Sequence, residues 1–176
     1  MAIEPSEFRH ALSQFASGVT VVTTRSTAGR PLGLTVSAFC SVSLDPPLVL
    51  VSIDHRSETL PGFAAFGYFG VSVLAEGQEE LSRRFAVSGP EKFEGVPLAT
   101  GSTGVALLPG ALAHLECRVV TGHPAGDHTI YVGEIVSLSV SPGRPLLYHR
   151  GVYRRLETPE EPGTPNAVAR QGPDRV

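Results

Sequence analysis

The sequence predicts a mainly β domain in which antiparallel strands form a closed or partly closed barrel, decorated by a few short helices. β-branched and aromatic residues alternate with period two in several short stretches. Glycine and proline, 19 and 15 of the 176 residues, place many turns between short elements. Strand and helix patterns do not alternate repeatedly, which disfavours a doubly wound parallel sheet.

Local patterns place the individual elements. An amphipathic helix is predicted between Ser6, a candidate N-cap, and Gly18, a candidate stop, with apolar residues at helical spacing: Phe8, Leu12 and Phe15. Two further short helices are predicted at residues 59–66 and 78–85. The predicted strands cover residues 19–24, 34–44, 48–53, 69–74, 113–119, 130–140, 146–149 and 153–156.

The length predicts one folded domain, because domains average about 150 residues. With 41% hydrophobic residues, the chain can bury a core without a metal or disulfide. Residues 157–176 contain Pro, Gly, acidic and Arg residues and almost no large apolar side chains. Such a segment cannot repay its ordering entropy, so we expect a domain at 1–156 and a disordered tail at 157–176.

Charge and cysteine usage exclude several classes of protein. The net charge of −3 is scattered, so nucleic acid is not an expected partner. Cys40 and Cys117 lie far apart in apolar stretches, which indicates two buried free thiols in a reducing compartment. The N-terminus lacks a signal peptide pattern, and the longest uncharged stretch is broken by Pro and Gly. We therefore expect a cytoplasmic protein without a membrane span.

Standard catalytic motifs are absent from the sequence. It contains no G-x-S-x-G, P-loop, G-x-G-x-x-G or H-E-x-x-H, and its six histidines do not pair at metal-ligand spacing. We therefore expect no metal site and, if the protein is an enzyme, a reactive group borrowed from a cofactor.

Small hydroxyl residues cluster near predicted strand ends. Hydroxyls and free N–H groups at strand edges suit a planar heterocycle, and residues at the start of a helix suit a phosphate, although turn and cap chemistry also explains such residues. Arg84 ends a short helix, where an arginine can grip a phosphate or simply face solvent. The cluster comprises Thr35, Ser37, Ser41, Ser52, Ser57 and Thr59.

Five separated blocks of the sequence resemble the flavin reductase family with the FMN-binding split-barrel fold. The resemblance covers residues 8–156, and Gly-Asp-His at 126–128 is its most diagnostic block. The blocks are GLTVSAF with SVSLDPPLV at 33–49, Q..LSRRFA at 78–86, KF at 92–93, GDHTI at 126–130 and PLLYHRG.Y at 145–153.

This resemblance implies a homodimeric antiparallel split β-barrel that binds FMN or FAD without covalent attachment. It further implies that NADH or NADPH reduces the flavin, and that a separate flavin-dependent monooxygenase receives the reduced flavin. Hydride passes between the two cofactors in that reaction, so no side-chain nucleophile is needed.

The resemblance also assigns candidate site residues. The flavin ring would contact Gly33, Leu34, Thr35, Val36, Ser37 and Ala38. The ribityl-phosphate arm would contact Ser52, Ile53, Asp54, Ser57, Thr59, Arg84 and Phe85. The nicotinamide nucleotide would contact His128, Tyr148, His149, Arg150 and Gly151.

Several departures and alternatives stay open at this point. Ser72 stands where many relatives carry an amide, His149 stands where they often carry an aromatic residue, and Glu134 is expected at the sheet rim or hydrogen-bonded. The sequence does not determine whether the flavin is FMN or FAD, or whether the hydride donor is NADH or NADPH. A flavin-binding protein that does not oxidise NAD(P)H efficiently, or a small β-barrel interaction module, are the competing hypotheses.

Overall fold

The computed structural model describes residues 3–156, which form twelve strands and three α-helices, and the predicted tail lies outside these residues. The α-helices are α1 (Pro5–Ser13), α2 (Leu60–Phe66) and α3 (Glu79–Phe85), with 3-10 turns at Glu76–Gln78 and Pro90–Phe93. The strands are β1 (Ser17–Gly18), β2 (Thr20–Arg25), β3 (Pro31–Val36), β4 (Phe39–Ser43), β5 (Leu48–Asp54), β6 (Tyr68–Val73), β7 (Ala99–Thr100), β8 (Ala106–Leu107), β9 (Ala113–Ala125), β10 (His128–Val140), β11 (Leu147–His149) and β12 (Val152–Arg154).

Seven strands form one antiparallel sheet in the order β3-β2-β6-β9-β10-β5-β4. Its two edge strands, β3 and β4, are joined by only two residues, Ser37 and Ala38. A connection this short cannot span a flat seven-stranded sheet, because neighbouring strands lie about 4.8 Å apart. The sheet therefore curves so that its two edges come close at this connection, and the β4–β5 pairing continues one residue before β4, where Ser52 N–H donates to the Ala38 carbonyl (3.1 Å). This arrangement confirms the predicted mainly β, antiparallel fold class.

The core consists of two hydrophobic clusters. In the first, the buried Phe63 ring stacks on Tyr131 with centroids 4.4 Å apart and tilts against Phe69 at 5.4 Å. In the second, Phe85 of α3 packs with Leu108 and other buried aliphatic residues. Burying each such side chain contributes about 1.5–3 kcal/mol. The second cluster fixes α3 against the sheet, next to the candidate site described below.

The prediction of one continuous strand at 34–44 was wrong. The chain leaves β3 at Val36, bends at Ser37 and Ala38, and enters β4 at Phe39. β3 pairs with β2, whereas β4 pairs with β5 at the other edge of the sheet. Local alternation continues across the bend, so periodicity alone could not detect it.

The prediction of two buried thiols was wrong for Cys40. Cys117 lies in a central strand and is buried, but Cys40 lies in the edge strand β4, where its side chain is exposed. Desolvation raises the pKa of Cys117 to about 12. The two thiols therefore differ sharply in accessibility.

The opening helix is shorter than predicted and begins at Pro5, with Glu4 rather than Ser6 at the N-cap. No residue of α1 is buried, and the apolar residues at helical spacing, Phe8, Leu12 and Phe15, are exposed. Gly18 belongs to β1, which pairs with β11. The apolar stripe of α1 thus has no partner within the described part of this chain.

Two polar residues that the sequence analysis singled out are satisfied by the fold. Glu134 lies in the central strand β10 rather than at a sheet rim, and it is hydrogen-bonded, as the other alternative predicted, by Arg118. Ser72 is buried and its hydroxyl oxygen accepts a hydrogen bond from Leu108 N–H (3.1 Å). A third polar residue, Glu116 on β9, is buried beneath residues 101–104.

None of the helices within residues 3–156 has the length and apolar character that crossing a membrane requires. Within the same residues, no three His, Cys, Asp or Glu side chains gather in a way that could hold a metal ion.

Candidate functional site

A cavity of about 430 Å³, here called the strand-end cavity, lies where β3, the end of β5 and the end of α3 converge. Its volume falls in the range of about 300–1,000 Å³ that is usual for ligand sites. The lining residues are Leu34, Thr35, Asp54, Arg56, Ser57, Glu58, Phe85, Ala86, Val87, Ser88 and Lys92. The structure therefore brings together residues from four separate parts of the sequence.

Strand pairing places the acidic end of the cavity. Asp54 is the last residue of β5, and its register partner on β10 is His128. The Asp54 carboxylate accepts hydrogen bonds from Arg56 Nη2 (2.7 Å) and from Arg56 N–H (2.8 Å). These bonds hold the pKa of Asp54 well below its usual range. Asp54 is therefore an ionised group that fixes Arg56 at the cavity rim.

Hydrogen bonds link the wall of the cavity to the C-terminal strands. The Thr35 hydroxyl donates to the Ser82 carbonyl (2.6 Å), so it can offer only lone pairs to a ligand. Ser82 Oγ in turn shares a hydrogen bond with the Tyr153 hydroxyl (2.8 Å). The Arg83 guanidinium lies 4.9 Å from the centre of the Tyr153 ring. This contact network ties β3, α3 and β12 together.

The two cations near the cavity, Lys92 and Arg84, differ in what their side chains contact. The half-buried Lys92 lines the cavity and donates to the Val87 carbonyl (3.3 Å), and burial lowers its pKa. Arg84, predicted to hold a phosphate, instead donates to the carbonyls of Glu91 (3.3 Å) and Glu94 and does not line the cavity. Lys92 is thus better placed than Arg84 to meet an anion in this cavity.

The other predicted flavin residues lie around the cavity rather than in its wall. Gly33 is buried, and a Cβ there would come within 3.1 Å of the Phe93 ring. The side chains of Val36 and Ile53 belong to the core, so only their backbone could meet a ligand. Thr59 is buried and its N–H donates to Ser57 Oγ (3.2 Å). Ser37 and Ala38 join β3 to β4, and Ser52 lies in β5, where its N–H donates to the Ala38 carbonyl.

The predicted nucleotide residues lie at two places. His128 begins β10 beside the cavity, and its Nδ1–H donates to Asp127 Oδ1 (2.6 Å), which lowers the pKa of Asp127. The other four lie in the β11–β12 hairpin, with Tyr148 and His149 at the end of β11 and Arg150 and Gly151 in the turn. Arg150 in this turn donates to Gln14 Oε1 (2.7 Å). None of the five lines the strand-end cavity.

Sequence reasoning missed six lining residues: the apolar Ala86 and Val87 and the polar Arg56, Glu58, Ser88 and Lys92. Lys92 lies in one of the blocks that resemble the family, but no role was attached to it. The signal available for the others was weak, because single polar residues in loops are usually solvated.

Comparison with known proteins agrees with this geometry. Residues 12–157 match the family model described as flavin reductase like domain. The chain is 45% identical over 159 residues to an NADH-dependent flavin reductase of a Rhodococcus species, with 88% of each chain covered. It is 40% identical over 157 residues to the flavin-dependent monooxygenase reductase subunit HsaB of Rhodococcus jostii, covering 89% of this chain and 80% of the relative.

Solved structures of flavin-reducing enzymes are also similar to this chain. The NADH:FAD oxidoreductase SgcE6 of Streptomyces globisporus matches with a TM-score of 0.83 at 36% identity, covering 90% of this chain and 98% of that one. These matches extend over most of the described residues and confirm the resemblance found in the sequence. The chain therefore belongs to the flavin reductase family.

Proposed function

We propose that the protein oxidises NADH and reduces a flavin, FMN or FAD, that binds in the strand-end cavity. The observation that carries this proposal is the convergence of five predicted flavin contacts on one cavity. These are Leu34, Thr35, Asp54, Ser57 and Phe85. The names of the relatives support the same activity and favour NADH as the hydride donor.

The residues of the cavity suit the parts of a flavin mononucleotide. Hydride transfer between NADH and flavin is the chemistry of the two cofactors, and the protein supplies binding and orientation. Leu34 offers an apolar wall to the ring system, while Lys92 and Ser57 offer a cation and a hydroxyl to the phosphate. We assign the nicotinamide nucleotide to His128, and its position across the ladder from Asp54 supports this assignment.

We also propose that reduced flavin is delivered to a separate monooxygenase. The relative in Rhodococcus jostii is named as the reductase subunit of such an enzyme. Ala86, Val87 and Ser88 in the wall of the cavity are exposed to solvent, which provides a route for a flavin to leave.

We propose that the working form is a homodimer. Apolar residues of α1 and of the residues just after it are exposed, with Phe8 and Leu12 in the helix at 56% and Phe15 beyond its end at 79%. A second apolar row is exposed on β10, where Leu138 and Val140 are 64% and 77% exposed. Exposed apolar surface of this kind marks protein contact sites. A second copy of the chain is the occupant that we assign to α1.

Sedimentation tests the homodimer. We expect the wild type to sediment as a dimer and Leu12→Glu to shift it toward a monomer, while Val120→Glu on β9 serves as a control at another exposed apolar position. A wild type that stays monomeric at micromolar concentrations contradicts the proposal.

The central experiment measures NADH oxidation with and without added flavin. We expect oxidation to require FMN or FAD, and a stopped-flow trace at 450 nm, the absorption of oxidised flavin, to bleach when NADH is added. Absence of flavin reduction by NADH, with flavin still bound, would instead favour a flavin-binding protein.

We propose that residues 1–156 are the complete reductase unit, since the family match ends at residue 157. A chain that stops after Leu156 should keep the flavin-dependent NADH oxidation of the full chain. We further assign the enzyme to the cytoplasm, where two free cysteines, one of them exposed, stay reduced.

A further inference from the structure

The sequence contains a single lysine, Lys92, and the structure places it between two cavities. Besides the strand-end cavity, Lys92 lines a second cavity of about 660 Å³, here called the hairpin cavity. The hairpin cavity lies between the β2–β3 hairpin, α2 and the 3-10 turn Pro90–Phe93. Small molecules can therefore approach the Lys92 amine from two sides.

Contacts within residues 3–156 use only part of the hydrogen-bonding capacity of Lys92. Its Nζ donates to the Val87 carbonyl (3.3 Å) and forms no ion pair within these residues. The side chain is half-buried, and this burial lowers its pKa. At a given pH, a larger fraction of Lys92 than of a solvated lysine is therefore the neutral amine, which is the nucleophilic form.

Two charged residues beside Lys92 have opposite effects on an anionic reagent. Arg30 also lines the hairpin cavity and takes part in none of the ion pairs formed within the described part of the chain, so its guanidinium can bind a phosphate. Glu58 lines both cavities together with Lys92, and its negative charge raises the pKa of Lys92 against the larger effect of burial. Arg30 thus favours the approach of a phosphate compound to Lys92, and Glu58 opposes it.

We propose that Lys92 is an acylation site and that its acyl donor is an acyl phosphate bound through Arg30. The Lys92 nitrogen attacks the carbonyl carbon of the donor, so that a C–N bond forms and the bond between this carbon and the phosphate oxygen breaks. The amine proton leaves with the phosphate. The products are an N-acyl lysine and hydrogen phosphate, and nothing is oxidised or reduced. The modified side chain has lost its positive charge.

Acylation of Lys92 also weakens flavin binding, a consequence that rests on the proposed function. We assign the flavin phosphate to Lys92, so loss of the charge should lower flavin affinity about tenfold, as expected for Lys92→Gln. Bound flavin in turn should shield Lys92 from the acyl donor. The flavin-free protein is therefore the form that is modified.

Acetyl phosphate is the probe, and peptide mass spectrometry locates the acetyl group. The purified protein is treated together with a peptide of residues 88–96 with blocked ends, which contains the same lysine without the cavities. At about pH 8, below the usual pKa of a lysine, Lys92 in the protein should be acetylated at least about fivefold faster than in the peptide. An acetyl thioester that carries no phosphate should show a smaller advantage for the protein, because Arg30 has no phosphate to bind.

Variants separate the contributions of the neighbouring residues. Arg30→Gln should slow the reaction with acetyl phosphate about fivefold and leave the reaction with the thioester unchanged. Arg154→Gln removes an exposed arginine of β12 that lines neither cavity, and it is the matched control. Glu58→Gln should speed the reaction, because it removes the anion beside the amine. Lys92→Arg should gain no acetyl group at this position.

Three results overturn the inference. The first is acetylation of Lys92 in the folded protein that is no faster than in the peptide. The second is an equal advantage of the protein with acetyl phosphate and with the thioester, and the third is an Arg30→Gln variant that reacts like Arg154→Gln.

Flavin titration of the acetylated protein tests the consequence for binding. An unchanged Kd for flavin after complete acetylation of Lys92 overturns the effect of acylation on flavin binding. Failure of NADH to reduce bound flavin in the unmodified protein contradicts the proposed function instead, and it leaves the acylation site intact.

Discussion

Two clusters of polar residues in this molecule differ in what their hydrogen bonds do. The buried Glu116 carboxylate accepts four hydrogen bonds, from the N–H and hydroxyl groups of Ser102 and Thr103. In the strand-end cavity, Lys92 Nζ makes one hydrogen bond within the described residues and faces open space. The first cluster is complete without a ligand, and the second has donors left for one.

This difference separates structural polar residues from binding residues. A buried carboxylate that has all its partners inside the chain stabilises a loop, because breaking such a bond leaves an unsatisfied charge. A half-buried cation beside an open cavity keeps N–H donors that water or a bound anion can accept. The four predictions below test the contrast in order of expected effect.

The largest effect is expected at Lys92. Lys92→Glu places a negative charge where we propose the flavin phosphate, so flavin affinity should fall by about 100-fold or more, since hydrogen bonds to charged groups contribute about 1.5–3 kcal/mol. Lys92→Gln removes the charge alone and should cost about tenfold. Thermal stability should stay close to that of the wild type. An unchanged Kd for flavin in both variants would contradict the assignment of the flavin phosphate to Lys92.

Glu116→Gln should affect stability but not flavin binding. The glutamine amide group would face donors of Ser102 or Thr103, at an expected cost of about 2–3 kcal/mol. For a chain of this length that corresponds to a decrease in Tm of about 5–10 °C. Glu134→Gln, at the exposed pair with Arg118, is the control and should cost less than about 1 kcal/mol. A lower flavin affinity in Glu116→Gln, without loss of stability, would contradict the purely structural role of Glu116.

The pH dependence of the same variant sharpens this test. Burial alone would favour protonation of Glu116, but hydrogen bonds from Thr103 and Ser102 outweigh it and lower the pKa below 4.5. The carboxylate therefore stabilises the folded state at pH values above the unfolded pKa, and this contribution is lost as the pH falls through the folded value. The difference in Tm between wild type and Glu116→Gln should shrink between pH 7 and acid pH.

His128→Ala tests the cavity rim and should raise the KM for NADH by about tenfold, because a side chain bonded to Asp127 would no longer meet the nucleotide. Flavin affinity should change little. His123→Ala, on the exposed end of β9, is the matched control. The KM for NADH is measured by steady-state kinetics at saturating flavin. An unchanged KM in His128→Ala would contradict the assignment of His128 to the nucleotide.

The smallest effect is expected at Tyr153. Tyr153→Phe removes the hydrogen bond to Ser82 and should cost about 1 kcal/mol of stability, measured by denaturant unfolding. Because β12 holds the turn at residues 148–151, the KM for NADH should rise a few-fold. Tyr148→Phe, whose ring packs on Tyr153, is the control. Equal stability of both variants would show that the contact with Ser82 contributes nothing.

Particular residues show how far the sequence could predict the site. Leu34, Thr35 and Asp54 were predicted from a resemblance confined to short blocks, and the structure places them in one cavity. Lys92 was missed, because its position relative to β3 depends on how residues 86–96 pack against the sheet. Arg84 was predicted to bind a phosphate, but its guanidinium bonds carbonyls of that same segment. Residue type is readable in a sequence, whereas competition for a side chain's hydrogen bonds is not.

The sequence by itself determined the strand-rich character, the family and the turn residues, because periodicity, β-branching and short motifs are local properties of the chain. Only the tertiary structure decided that the chain bends at Ser37 and Ala38, that Glu116 is covered by residues 101–104, and that His128 lies opposite Asp54. Each of these depends on which distant strands pair. Pairing is fixed by burial of apolar surface summed over the whole sheet, so it cannot be read from any single segment.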